Sequence, residues 1–206
     1  MDTKWIDYVK EIQAIAQAGL TFTKNEYELE RYARLRTLSV EMMSHYSHTS
    51  PEIVNSLFAN ERGYQTPKID IRSVVFSADK ILMVQETIDH RWSLPGGYAD
   101  IGISPKEVAV KETLEEAGYH VAPVKLLAVL DKRFHQHPVS PFHLYKIFFL
   151  CEIIDHEALP KNVETCDVGF FSLENLPPLS TGRVTTEQLD LMFQFHNDPL
   201  KEPVFD

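Results

Sequence analysis

The stretch LPGGYADIGISPKEVAVKETLEEAGY, residues 94–119, decides how this chain is read. Ser104 is placed to cap a helix, with Pro105 at its first position and Glu107 three residues after the cap to complete a capping box. Gly118 can end the same helix in a left-handed conformation. On a helix turning about 100° per residue, Glu112, Glu115 and Glu116 fall within an arc of about 100°, while Ala109, Val110, Thr113, Leu114 and Ala117 gather on the opposite side. One face is therefore apolar and the other carries three carboxylates.

Carboxylates at i, i+3 and i+4 repel one another by roughly a few tenths of a kcal/mol per pair, so a cation that neutralises them would account for their grouping. Hard oxygen ligands suit Mg²⁺ or Mn²⁺. By itself, an ExxEE pattern in an acidic protein reads as a solvated acidic face. The loop just upstream changes that reading. Gly96 and Gly97 let backbone approach closely and can aim the Gly96 carbonyl at the same cation, and Gly102 keeps the turn at Asp100–Ile103 tight.

The whole stretch resembles the Nudix box, G-x5-E-x7-R-E-U-x-E-E-x-G-U with U apolar, and Gly97, Glu112, Glu115, Glu116, Gly118 and Tyr119 fall on it in register. Three positions depart from it. Ile103 stands where the pattern has its first Glu, Lys111 where it has Arg, and Thr113 at an apolar position. Losing a carboxylate at 103 leaves the number of bound ions open, and Lys111 keeps a charge without the bidentate fork. Asp100 is close enough in sequence to supply some of the missing negative charge.

Working outward, the chain has 206 residues, 44% hydrophobic and 24% charged, enough to bury a core without disulfides. Thirty acids against twenty Lys plus Arg give a formal charge of −10, which argues against a phosphate-neutralising DNA binder or a polybasic membrane module. Cys151 and Cys166 are too few and wrongly spaced for a thiolate zinc site, and both read as reduced and buried. Charges at Asp2, Lys4, Asp7, Lys10 and Glu11 interrupt the N-terminal sequence, so neither a signal peptide nor a membrane span is expected and a cytoplasmic location is.

Residues 1–63 read as a small helical domain. Trp5, Tyr8, Val9, Ile12, Ile15 and Ala16 recur at helical spacing ahead of Gly19, which is expected to stop the first helix. Thr23 and Glu26 are expected to form a capping box for the second, and Ser50-Pro51 opens a third. After GYQTP the period changes. KIDIRSVVF and KILMVQE read as a hairpin, with further strands expected at Val124–Leu130, Leu144–Ile153 and around Phe170 and Phe171, and a last helix at Thr185–His196. Residues 66–206 are thus expected to form the second domain, a mixed sheet with helices packed on it. The fold class is α+β, and the resemblance makes it a Nudix α/β/α sandwich preceded by an all-helical domain. Of the net charge, −8 lies beyond Gln65, with the strands.

The resemblance implies a metal-dependent hydrolase of nucleoside diphosphates linked to another moiety. Glu112 and Glu116, with the Gly96 carbonyl, are the expected metal ligands, and Glu115 either joins them or positions water. Glu164, in the loop KNVETCDVGFF, is the candidate general base, with a solvated loop acid as the competing reading. Arg72 alternates with Asp70 on one strand face, either to grip phosphate or as a structural ion pair; Arg133 and Phe134, in KRFHQH, offer a base and a stacking surface. His135 and His137 have the spacing of a metal pair but no third ligand nearby, and Trp92 reads as packing under the loop.

The helical region, with FHQHPVSPFHLYKIFFLCEI and ETCDVGFFSLENLPPLS, makes the CDP-choline pyrophosphatase group the narrower expectation, giving CMP and phosphocholine. ADP-ribose or nucleotide-sugar pyrophosphatase is the alternative. RNA ends are disfavoured by the charge of −10. A metabolite sensor or interaction module that keeps the fold is the competing class, and a homodimer through the N-terminal helices is expected.

Overall fold

The computed structural model describes residues 4–156 and 164–206. The chain divides into two compact units, residues 1–67 with 139–142 and residues 68–138 with 143–206.

The first unit is built from α1 (Lys4–Phe22), α2 (Glu26–Ser47) and α3 (Pro51–Phe58). Its core is Ile6, Val9, Val40, Met43, Val54, Phe58 and Ala59. Two details correct the sequence reading. Gly19 lies inside α1 and does not end it. Its missing side chain makes room for the Tyr32 ring, whose atoms would stand 2.4 Å from a Cβ there. The cap of α2 is Asn25, whose Oδ1 accepts from the amides of Tyr27 and Glu28 at 3.0 and 3.3 Å; the Thr23 hydroxyl instead donates to the Glu28 carboxylate. Asn ranks with Ser and Asp as a cap, so the residue next to the helix displaces the one two positions further out. Ser50 caps α3 as expected.

The second unit holds a seven-stranded mixed sheet among the described residues. Strands β1 (Lys68–Ser77) and β2 (Lys80–Glu86) form the expected hairpin, turning at Ala78 with φ of 50°. The remaining strands are β3 (Trp92–Ser93), β4 (Tyr119–Asp131), β5 (Leu144–His156), β6 (Thr165–Phe171) and β7 (Val204–Phe205). The order runs β3-β2-β1-β5-β4-β7, with β6 also paired to β2. Parallel pairing of β1 with β5 places Asp70 opposite Lys146.

Two helices cover the sheet. Helix α4 (Pro105–Ala117) contributes Val108, Ala109 and Ala117 to a cluster with Ile71, Val75, Leu82 and Val84, and α5 (Thr186–Asn197) contributes Leu189, Met192, Phe193 and Phe195 to a cluster with Val74, Ile81, Met83 and Phe148. Alternation along β1 and β2 sends successive side chains to the two helices, which makes an α/β/α sandwich. Each of the Val, Leu, Ile, Met and Phe side chains among them contributes roughly 1.5–3 kcal/mol on removal from water. The predicted cap of α4 forms, and α5 carries a second capping box that the sequence reading did not name. Ser104 accepts from the Glu107 amide and Glu107 from the Ser104 amide, and Thr185 and Gln188 do the same for α5. Thr113, at the apolar position of the box, is fully buried and satisfies its hydroxyl on the Ala109 carbonyl at 2.7 Å. Among the described residues no helix is long and apolar enough to cross a membrane. Cys151 is buried as expected, whereas Cys166 is exposed on β6, at the register shift where Gln85 pairs with Asp167 and Glu86 with Thr165.

Candidate active site

The loop from Leu94 to Ala99 runs beside β1 as an added strand. Ser73, Ile71 and Ala99 donate their amides to Pro95, Gly97 and Ile69 carbonyls at 2.8–2.9 Å. This approach is so close that Gly96, at φ of +138°, would put a Cβ 2.0 Å from the Ile71 carbonyl oxygen, so only glycine fits. The Gly96 amide then points to α4 and donates to Glu116 Oε2 at 2.8 Å. Loop and helix are thus joined between the residue just ahead of the box's first glycine and the last carboxylate of the box.

A cavity of about 890 Å³ opens here. It is lined by Gly96, Glu112, Glu115, Glu116 and Glu164, together with Asp70, Arg72, Glu86, Tyr98, Lys111, Lys132, Lys146 and Arg183. The three box carboxylates are graded in depth. Glu116 is 5% exposed, the Glu112 side chain 12% and the Glu115 side chain 55%. Burial pushes the Glu116 carboxyl up to about 8, opposed by Arg72 and the Gly96 amide and reinforced by Glu86 and Glu112. Burial also raises Glu112, against the charge of Lys111, while Glu115 and Glu164 add repulsion.

Lys111 takes the place of the pattern's Arg as a point charge shared among carboxylates. Its ammonium lies 3.4 Å from Asp100, 3.5 Å from Glu112 and 3.2 Å from Glu115. Asp100 therefore does join the acidic wall. Ile103, at the pattern's first Glu position, packs against the apolar cluster under α4 and supplies no ligand.

On the opposite side, Arg72 and Lys146 converge on Asp70. Arg72 reaches Asp70 Oδ1 through Nη2 at 2.9 Å and through Nε at 3.1 Å, and donates from Nη1 to the Leu94 carbonyl at 2.9 Å; Lys146 contacts Asp70 Oδ2. Burial works to raise Asp70, but Arg72 and Lys146 hold its carboxyl below the usual range. Both sequence readings of Arg72 meet here, since it is an ion-paired residue that also lines the cavity.

Arg133 and Phe134 do not line this cavity. Arg133 is taken by Asp131, at 2.7 Å from its Nη2, with its guanidinium 5.4 Å from the Phe134 ring, and Phe134 is exposed. The Asp131 side chain caps the short turn Lys132–Phe134 and turns Arg133 back on itself, which leaves Lys132 as the basic residue at the cavity. His135 pairs with Asp206 and His137 with the Thr181 carbonyl, so the two histidines share no ligand role. Trp92 packs edge-on against Phe171 at 4.7 Å, as a residue anchoring the loop should.

Sequence reasoning missed Glu86, Lys146 and Arg183. Arg183 binds Glu86 Oε1 at 2.9 Å, and Ser93 donates to the same oxygen at 2.7 Å. The one legible signal was Lys146, the single charge in the apolar run LYKIFFL.

The residues from 66 to 191 match the NUDIX domain model, and residues 3–58 match the UDP-X-like, N-terminal oligomerisation domain. The chain belongs to the Nudix family. A Bacillus subtilis (strain 168) protein called "Putative ADP-ribose pyrophosphatase YjhB" is 47% identical over all 206 residues, covering 99% of that protein. The crystal structure of an ADP-ribose pyrophosphatase from Streptococcus suis 89-1591 covers 68% of this chain and 100% of its own at 44% identity, with a TM-score of 0.63. That of a UDP-X diphosphatase covers 99% and 98% at 33% identity, with a TM-score of 0.65. This Nudix chain is therefore a pyrophosphatase of the family, whose members use divalent metal. The similar proteins bear ADP-ribose and UDP-linked names, which fit the ADP-ribose alternative better than the narrower expectation of CDP-choline.

The residues present fit a divalent cation. Among the described residues no three His, Cys, Asp or Glu side chains stand together as a ready-made cage. Instead the Lys111 ammonium stands among Asp100, Glu112 and Glu115, and Glu112 raises the proton affinity of the buried Glu116. An acidic wall of oxygen donors that already gathers one cation suits a hard divalent ion.

Proposed function

We propose that this chain hydrolyses the diphosphate of ADP-ribose, with Glu112, Glu116 and the Gly96 carbonyl holding Mg²⁺ or Mn²⁺. The observation that carries this reading is the pair of Glu112 and the buried Glu116, the latter joined to the Gly96 loop, in a cavity whose other side is cationic. The ADP-ribose assignment rests on the full-length relative at 47% identity. When bound, the metal screens the diphosphate and acidifies the attacking water. Glu115, the outermost of the three, orients water or completes the metal site. Glu164, whose carboxylate faces Glu112 across the cavity, accepts the water's proton. Arg72 steadies a phosphoryl oxygen from the floor.

A UDP-linked substrate is the second reading, favoured by the match of residues 3–58 and by the UDP-X diphosphatase that aligns over nearly the whole chain. The same region supports a homodimer. Tyr8, Ile15 and Phe22 recur every seven residues on α1 and are all more than half exposed, apart from the buried face of that helix.

The test is a panel of ADP-ribose, UDP-sugars, CDP-choline and 5′-capped RNA with Mg²⁺ or Mn²⁺. ADP-ribose is expected to give AMP and ribose 5-phosphate at the highest kcat/KM, with ¹⁸O from water in one product. A UDP-sugar at the top of the panel would favour the second reading, and no release from any member would favour a non-catalytic module. Sedimentation of the full chain, compared with Ile15→Glu, checks the dimer.

A further inference from the structure

We propose that Lys146 is a phosphate-binding residue, poised by Asp70 to receive a phosphoryl group of the diphosphate at the floor of the cavity. This deepens the function proposed above and rests on the substrate being a diphosphate.

The argument begins with an excess of charge. Lys146 occupies an inward position of β5 between Leu144 and Phe148, is 1% exposed, and would serve the core better as an apolar residue. It is not needed to neutralise Asp70, because Arg72 already binds that carboxylate through two nitrogens. Two buried cations therefore share one carboxylate. The charges facing them are Glu116 and Glu86 on the Arg72 side and Lys132 on the Lys146 side. Glu86 is itself held by Arg183, and Glu116 is a proposed ligand of the metal. The surplus positive charge thus falls at Lys146, with Lys132 adding to it.

The directions of the donors agree. Of the three N–H groups of Lys146, one has a protein partner, Asp70, among the described residues. Asp70 thereby fixes the ammonium without exhausting it, and the side chain opens on the same cavity as the box carboxylates. An anion arriving there would be met by Lys146, Arg72 and Lys132, whereas the α4 wall would repel it unless metal intervened. A diphosphate has charge enough for both sides. Its metal-bound oxygens would face α4 and its remaining oxygens the strand floor.

The competing account is that Lys146 serves only to balance Asp70. The two accounts part on the near-isosteric double variant Asp70→Asn/Lys146→Met, which removes one buried charge of each sign and leaves Arg72 with the Leu94 carbonyl and the charges of Glu116 and Glu86. Inorganic pyrophosphate, which has no nucleoside, is titrated into wild type and variant by calorimetry with Mg²⁺ present, after circular dichroism has shown both to be folded. The variant is expected to bind pyrophosphate at least about tenfold more weakly, the loss of one charge-assisted hydrogen bond. Lys146→Met alone is expected to do the same. Equal binding by wild type and the double variant, or no pyrophosphate binding by wild type, would overturn the proposal. Failure of the proposed function is read separately, as wild type binding pyrophosphate while hydrolysing nothing in the panel.

Discussion

The acidic helix α4 and the strand floor formed by β1 and β5 face one cavity, yet they hold their charges in opposite ways. On α4, Glu112, Glu115 and Glu116 are like charges gathered by helical spacing, and Lys111 meets two of them from the rim. On the floor, Asp70 lies between Arg72 and Lys146 with almost no water. The first arrangement is costly until a cation arrives and is kept for what it binds. The second is stable by direct contact and costly to break. A side chain's importance to catalysis and its importance to folding should therefore separate between the two regions.

The sharpest test of that separation is Glu116→Gln. It removes the deepest box carboxylate but keeps an acceptor for the Gly96 amide, so turnover should fall by about 10²-fold or more with thermal stability retained. Wild-type turnover would remove Glu116 from the metal site. On the floor, Asp70→Asn should do the reverse to stability. Leaving Arg72 and Lys146 buried without their carboxylate should cost about 3–5 kcal/mol in urea unfolding. A change under about 1 kcal/mol would mean the floor is better solvated than its burial indicates.

A smaller effect tests how far the floor's positive charge extends. Burial lowers the proton affinity of His137 to about 4, with the charges of Lys146 and Lys132 acting in the same sense against its bond to Thr181. Between pH 6.5 and about 4 the unfolded chain takes up a proton that the folded chain refuses, so this contribution is complete above 6.5 and is lost as pH falls. Wild type should lose more stability than His137→Phe between pH 7 and pH 4.5, measured by urea titration; parallel losses would place His137 outside the floor's influence. The smallest effect is expected at the rim. Lys111→Met should change stability by no more than about 1 kcal/mol, since its ion pairs are largely solvated, and a larger loss would mean the acidic wall depends on its lysine for folding.

The same contrast explains what could be read in advance. The α4 site is local: caps, apolar face and carboxylates lie within residues 104–118, where helical geometry converts spacing into position without further information. The hairpin was legible for the same reason, through alternation close in sequence. Gly19 and Thr23 misled because their neighbours in space, Tyr32 and Asn25, outweigh a local stop or cap signal. Arg133 misled because a carboxylate two residues away takes its guanidinium.

The sequence by itself determined the acidic wall and its helix, because each depends on contacts a few residues apart, and it marked the glycine loop through the spacing of the box pattern. Only the tertiary structure decided the floor. Lys146 meets Asp70 across 76 positions through a parallel register that no short pattern specifies, and Glu86 on β2 meets Arg183 from a turn ahead of α5. Sheet pairing sets such meetings, and burial then decides whether a charge is balanced or held ready for a ligand.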